Sequence, residues 1–258
     1  NRLSELLKKP QWQLHEVAIE TRVHTFEEAL NINETILNDR KAAKLLLIDQ
    51  YGVDSVNQEV FKKLIKYPKT DFIFFLSSST LHRFRDHPAI KIKISRPDRS
   101  YDVHRAAFDW YKNLTPESAF LGRFSIKKGS NIYGLIFGSQ HPLGAHKFLQ
   151  VAWANDQIAG EADFDIDEEN ISPNQSLFPL TEFQPRKIQA FEADLETVLR
   201  KGKMRSEADI IHFCITAGMT GSHASPVIKK LKKEGVLFCD FHTPNVRKLR
   251  DPRAVSVC

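Results

Sequence analysis

Long apolar runs, a cysteine framework and glycine-rich phosphate loops are all missing from these 258 residues. No stretch approaches the ~18–20 apolar residues that cross a bilayer as a helix, so no membrane partner is expected. The three cysteines, Cys214, Cys239 and Cys258, are odd in number, scattered and without C-x-x-C spacing. Neither a disulfide framework nor a zinc site is expected, and a reducing cytoplasm is the expected location. Ser77, Ser78 and Ser79 follow a strand-like run, as phosphate loops do, but neither a glycine-rich loop nor a P-loop lysine accompanies them. The G-x-S-x-G elbow is also absent. Asp163, Asp165 and Asp167 open like a calcium loop, yet Glu168 stands where glycine is required and Asn174 where a bidentate glutamate is required. His141 and His146 are five apart, the wrong spacing for two ligands on one helical face, so no metal is expected. The opening, Asn1 followed by Leu3, Leu6 and Leu7, reads as amphipathic sequence from within a longer polypeptide.

What is present is charge of one sign at one end. The net charge of +5 divides unevenly: Arg200 to the C-terminus holds 12 Lys and Arg against 5 Asp and Glu, and the remainder holds 25 against 27. A localised basic face suits a phosphate backbone better than a diffuse excess does. A lysine-rich solvated helix accounts for the same charge.

Hydrophobic periodicity divides the chain at a polar stretch, residues 161–185, with three prolines and clustered acids, which reads as a linker. Before it, "LHEVAI" (14–19), "KLLLID" (44–49) and "DFIFFLSSS" (71–79) read as strands. Helices alternate with them: "TFEEALNINETIL" (25–37), with Thr25 and Glu28 as a capping box, and "SVNQEVFKKLIKY" (55–67), capped by Ser55. Residues 101–114 read as a further helix, and 131–153 as a strand, a turn at His141-Pro142-Leu143-Gly144, and a helix. This alternation predicts a doubly wound, parallel, Rossmann-like α/β sheet over residues 1–160, its apolar strands covered on both faces. Beyond 185, helices over 187–202, 206–218 and 221–235 each end at glycine. "VLFCDF", the basic loop "HTPNVRKLRDPR" and "AVSVC" follow, and the order predicts a winged helix-turn-helix over 186–258.

Two sets of residues are similar to a known family. "LLLIDQYGV", "DFIFFLSSS" and "IFGSQHPLGAHKFLQVAW" resemble the three-Cys-motif partner proteins (TcmP) of bacteria and phages, over residues 12–160. "AGMTGSHASPVIKKLKKEGVL" resembles the winged helix at the C-terminus of some members. The resemblance implies a methyltransferase-like Rossmann domain, S-adenosylmethionine as cofactor and a three-Cys-motif protein as partner. The family's cofactor-binding strand and glycine-bearing turn are not found upstream of Asp49, so no residue is assigned to the cofactor.

By the same resemblance, Asp49, Gln50, Tyr51 and Gly52 occupy the catalytic position of an amino-methylating enzyme. There the carboxylate accepts a hydrogen bond from the substrate amine, the ring stacks on a flipped base and glycine admits close backbone approach. Gln50 replaces the proline whose constrained backbone aims a carbonyl at the amine. The other reading is that Asp49 caps a turn and Tyr51 packs over the sheet edge. In the winged helix, Ser222, His223 and Ser225 stand where a recognition helix meets base edges. Lys229, Lys232, Lys233, Arg247, Lys248, Arg250 and Arg253 are expected on phosphates.

Two functions fit these residues. One is S-adenosylmethionine-dependent amino-methylation of a base, targeted to DNA by the winged helix. The other is a catalytically silent Rossmann scaffold that binds DNA and recruits a partner in phage–host conflict or mobile-element biology. A plain transcriptional regulator is a third reading.

Overall fold

The computed structural model describes residues 20, 22–49, 55–93, 102–164 and 186–257. The chain divides into two compact units, residues 1–36 and 37–258. In the first, Thr25 starts helix α1 (Phe26–Ile32) with the expected reciprocal cap: its hydroxyl accepts from the Glu28 N–H, and the Glu28 carboxylate accepts from the Thr25 N–H. Two donors that a helix start leaves open are thereby satisfied. The single helix expected over 25–37 breaks at Asn33, whose side chain donates to the Ala29 carbonyl, and α2 (Glu34–Asn38) follows. The strand expected at 14–19 lies outside the described residues.

The second unit is α/β. It runs β1 (Lys44–Ile48), α3 (Gln58–Leu64), β2 (Thr70–Ser77), α4 (Ser78–Arg83), α5 (Pro88–Lys91), α6 (Asp102–Asn113), β3 (Phe120–Lys128), β4 (Asn131–Ser139) and α7 (Pro142–Asn155). It continues through α8 (Arg186–Arg200), α9 (Glu207–Thr216), α10 (Gly221–Lys233), β5 (Leu237–Phe238), a 3-10 turn (Val246–Lys248) and β6 (Ser256–Val257). Helix α3 starts at Asn57, whose side chain accepts from the Val60 N–H, two residues later than the expected cap at Ser55.

The four-stranded sheet has the order β1-β2-β4-β3. β1 and β2 are parallel, β4 runs antiparallel to β2, and β3 antiparallel to β4. β1, β2 and β3 therefore share one direction with β4 reversed among them, and the expected all-parallel sheet is mixed instead. The cause is local: β3 and β4 are joined across Gly129 and Ser130, with Lys128 facing Asn131 and Gly129 at φ +61°. A two-residue turn joins only antiparallel neighbours, and its positive φ suits glycine. β3 ("FLGRFSIKK") was not anticipated from the sequence, because glycine, arginine and serine interrupt its apolar pattern.

On one sheet face, Phe72 and Phe74 of β2 pack under Phe61 of α3 and Tyr111 of α6, all four wholly buried. Phe61 meets Tyr111 tilted at 4.8 Å, and Phe74 meets Tyr111 edge-on at 5.0 Å. Each such side chain contributes about 1.5–3 kcal/mol through burial. The other face is covered by α7, whose Phe148 stacks on Phe137 at 4.9 Å. That cover does not reach β1: Leu45 and Leu47 are 60% and 69% exposed. The expectation that β1 is covered on both faces is therefore not met.

Helix α7 serves two cores. Its Ala145, Leu149 and Trp153 join Phe191, Leu195 and Leu199 of α8, and the buried residues of α9 and α10, in one apolar cluster. The stretch expected as a linker from 161 begins as part of the sheet. Glu161 and Asp163 exchange backbone hydrogen bonds with Ser125, and the Asp163 carboxylate accepts from the Lys127 N–H. Glu161 also pairs with Arg123 of β3 at 2.8 Å and Lys187 of α8 at 2.6 Å. Residues 165–185, with Asp165, Asp167, Glu168 and Asn174 of the calcium-loop reading, lie outside the described residues.

Candidate nucleic-acid interface

The carboxyl ends of β1 and β2 emerge at one edge of the sheet, where ligands of open α/β sheets bind. Asp49 follows β1 directly and is exposed. Gln50, Tyr51 and Gly52 lie outside the described residues, so the structure positions one member of the expected quartet. β2 runs three residues beyond the last β1 pair, Ile48 with Phe74, and ends at Ser77. Ser77 and Ser79 share a hydroxyl hydrogen bond of 2.8 Å, and the Ser78 hydroxyl accepts from the Ile132 N–H. Tyr133, facing Ser77 across the β2–β4 ladder, is a half-buried ring at the same edge. It sits in the run "NIYGLIF", and its place beside Ser77 depends on the register.

The second candidate surface begins where α9 turns into α10. Gly218 in the turn has φ +71°, a conformation that favours glycine, and its carbonyl accepts the Trp153 indole N–H at 2.9 Å. Helix α10 turns Ala224, Val227, Ile228 and Leu231 into the shared core. Its outer stripe carries Ser222, Ser225, Pro226, Lys229 and Lys233 at helical spacing. Among the described residues, Lys229, Lys233, Arg247, Lys248 and Arg250 are exposed and have no ion-pair partner.

The remaining expected contacts are engaged within the protein. Lys232 donates to the carbonyls of Cys239 at 2.8 Å and Phe241 at 3.2 Å, holding the chain after β5. Arg253 makes two hydrogen bonds to buried Glu207, at 2.5 and 2.8 Å, and lies over the Phe241 ring at 4.5 Å. Ser225 accepts from the Thr243 hydroxyl at 3.1 Å. His223 turns inward: its ring lies 4.3 Å from the Trp153 ring, and its Nδ1 accepts the Thr220 N–H at 3.1 Å. That bond places the ring proton on Nε2. The 3-10 turn bearing Arg247 and Lys248 packs on α7 and α9. Its cations therefore flank the start of α10 and do not prolong the Lys229–Lys233 stripe.

Between α7, the first turn of α10 and residues 243–246 opens a cleft of about 620 Å³. His146, Gln150 and Trp153 line it from α7, and Ser222 and His223 from α10. Burial lowers the pKa of His146, with the Lys147 charge adding to it. Burial likewise lowers that of His223. Both rings are thus biased towards the neutral form. No sequence motif marks this α7 face, although His146, Gln150 and Trp153 follow i, i+4, i+7 along the helix.

Among the described residues, no cluster of three or more His, Cys, Asp or Glu could hold a metal ion, and no helix is long and apolar enough to cross a membrane. No family model, no curated protein and no solved structure matches this chain.

Proposed function

We propose that this is a nucleic-acid-associated, methyltransferase-like protein of the cytoplasm, with a Rossmann-like sheet and a winged helix that binds DNA. The observation carrying the reading is the pair Lys229 and Lys233, exposed and without ion-pair partners on one face of α10. Arg247 and Lys248 beside the start of the same helix support it. Cations held apart from carboxylates on an ordered helix are available to phosphates, and they give binding that weakens steeply with salt. Fluorescence anisotropy with a labelled duplex across a salt series tests this. A negative slope of log K against log salt is expected, and absence of binding at low salt sinks the proposal.

For chemistry, the support is the exposed Asp49 at the carboxyl edge of the sheet. S-adenosylmethionine would supply the methyl group there, and Asp49 would accept a hydrogen bond from the amine that receives it. A second reading is favoured by one residue: Gln50, where the family resemblance implies proline, fits a silent scaffold that binds DNA and recruits a three-Cys-motif protein in bacteria or phages. Calorimetry with S-adenosylmethionine separates the two. Binding heat supports the methyltransferase, and its absence at high protein concentration leaves the scaffold.

A further inference from the structure

Between α7 and α10 the cleft is walled by uncharged groups, and the nearby Lys187 ammonium, 5.4 Å from the Trp153 ring, is paired with Glu161 at 2.6 Å. The cleft's described lining contains no Asp, Glu, Lys or Arg, although basic residues dominate the surrounding sequence. Its polar side chains include two imidazoles biased towards neutrality, the amides of Gln150, Gln157 and Asn245, and the hydroxyls of Thr220, Ser222 and Thr243. A phosphate or carboxylate inside it would lose hydration without an ion-pair partner among the lining side chains, which is costly. An uncharged ring with donors and acceptors on its edge would find both kinds of partner. Amide side chains present one donor face and one acceptor, and His223 Nε2–H adds a donor free of any protein partner among the described residues.

The surroundings say how such a ring would arrive. Asn245 and Val246 line the cleft, and Arg247 and Lys248 come next in the chain, exposed. Lys229 stands two turns along α10 from Ser222, on the same stripe. Cations at both margins and neutral hydrogen-bonding groups between them match a nucleotide with its phosphates outside and its base inside. The volume, about 620 Å³, falls within the range of small-molecule sites. Ser222 and His223 share the cleft with α7, so a base read by them has to leave its stack and enter.

We infer that the cleft bounded by His146, Gln150, Ser222, His223 and Asn245 receives an unpaired nucleobase of the nucleic acid that α10 holds. This deepens the proposed nucleic-acid binding and rests on it. Single-stranded and bulged substrates bind more tightly than fully paired duplex of the same length, and a 2-aminopurine at the bound position changes its fluorescence on binding.

The test uses the whole chain and Gln150→Leu, an exposed position whose replacement removes an amide from the cleft wall without touching the core. Gln150→Leu is expected to weaken single-strand binding about five- to tenfold, with duplex affinity and salt slope unchanged. Wild-type affinities equal for strand and duplex, or a Gln150→Leu variant with unaltered strand affinity, would overturn the inference. Free nucleosides give the independent arm, read by saturation-transfer NMR. Transfer to base protons that Gln150→Leu abolishes supports the cleft even where duplex binding fails, whereas no transfer together with no strand preference removes it. A protein that binds no oligonucleotide yet takes nucleosides refutes the DNA-binding proposal and the delivery of the base by α10, and leaves the cleft as a base-binding site.

Discussion

Glu207, wholly buried in the first turn of α9, holds Arg253, 46 residues away, by two hydrogen bonds and also accepts the Asn245 N–H at 2.7 Å. One carboxylate thus anchors both the loop beside the cleft and the segment leading to β6. Burial alone would raise the Glu207 carboxyl, but the Arg253 and Asn245 hydrogen bonds outweigh it and hold its pKa below the ordinary carboxylate value.

Glu207→Ala is expected to cost about 3 kcal/mol in urea unfolding, because it strands a guanidinium and a backbone donor. Arg253→Ala should lower stability while leaving the salt slope of the proposed DNA binding unchanged. A reduced slope for Arg253→Ala at undiminished stability would return that residue to the phosphate contacts.

Lys229→Gln combined with Lys233→Gln should flatten the salt slope by roughly two units and leave the unfolding midpoint in place. Lys232→Gln should do the reverse, since its ammonium donates to Cys239 and Phe241 carbonyls. Measuring both slopes and midpoints on the same preparations checks the division between binding and structural lysines.

His104 of α6 is buried, its Nε2 accepting the Gly134 N–H at 3.2 Å. Burial lowers its pKa from 6.5 to about 4. The unfolded chain therefore takes up a proton near pH 6.5 that the folded chain refuses until about pH 4. Stability contributed by neutral His104 is complete above the higher value and lost as pH falls towards the lower, on the order of 3 kcal/mol in all. Urea midpoints measured across this range should drop for the wild type and drop less for His104→Gln.

Gly138 of β4 has no room for a methyl group: a Cβ there would lie 2.1 Å from the Phe72 ring. Gly138→Ala should destabilise by about 1–3 kcal/mol through overpacking. Pairing it with Phe72→Leu should recover part of that loss, and strict additivity of the two changes would show that they do not share the space.

Local signals carried much of the architecture. The cap of Thr25 on Glu28 and the positive-φ glycines 202, 218 and 235 after α8, α9 and α10 follow from short-range stereochemistry, and all stand where the sequence predicts. The apolar runs 44–49 and 71–79, expected as strands, hold β1 and β2, but Ser78 and Ser79 open helix α4 instead of ending the strand. β3 was not legible, because its buried positions depend on the hairpin with β4 and on Phe148 filling the space above Gly122.

The sequence by itself determined helix α6, the helices α8 to α10 with their glycine stops, the α/β class and the concentration of positive charge after Arg200. Only the tertiary structure decided which of those charges are free. Lys229 and Lys232 are three residues apart in one basic run, yet one faces solvent and the other is bound to backbone carbonyls. The same holds for "LLLID": its period specified a strand, while the exposure of Leu45, Leu47 and Asp49 is set only in the fold. A side chain's partners come from elements distant in the chain, and a one-dimensional pattern records its type without recording what lies opposite.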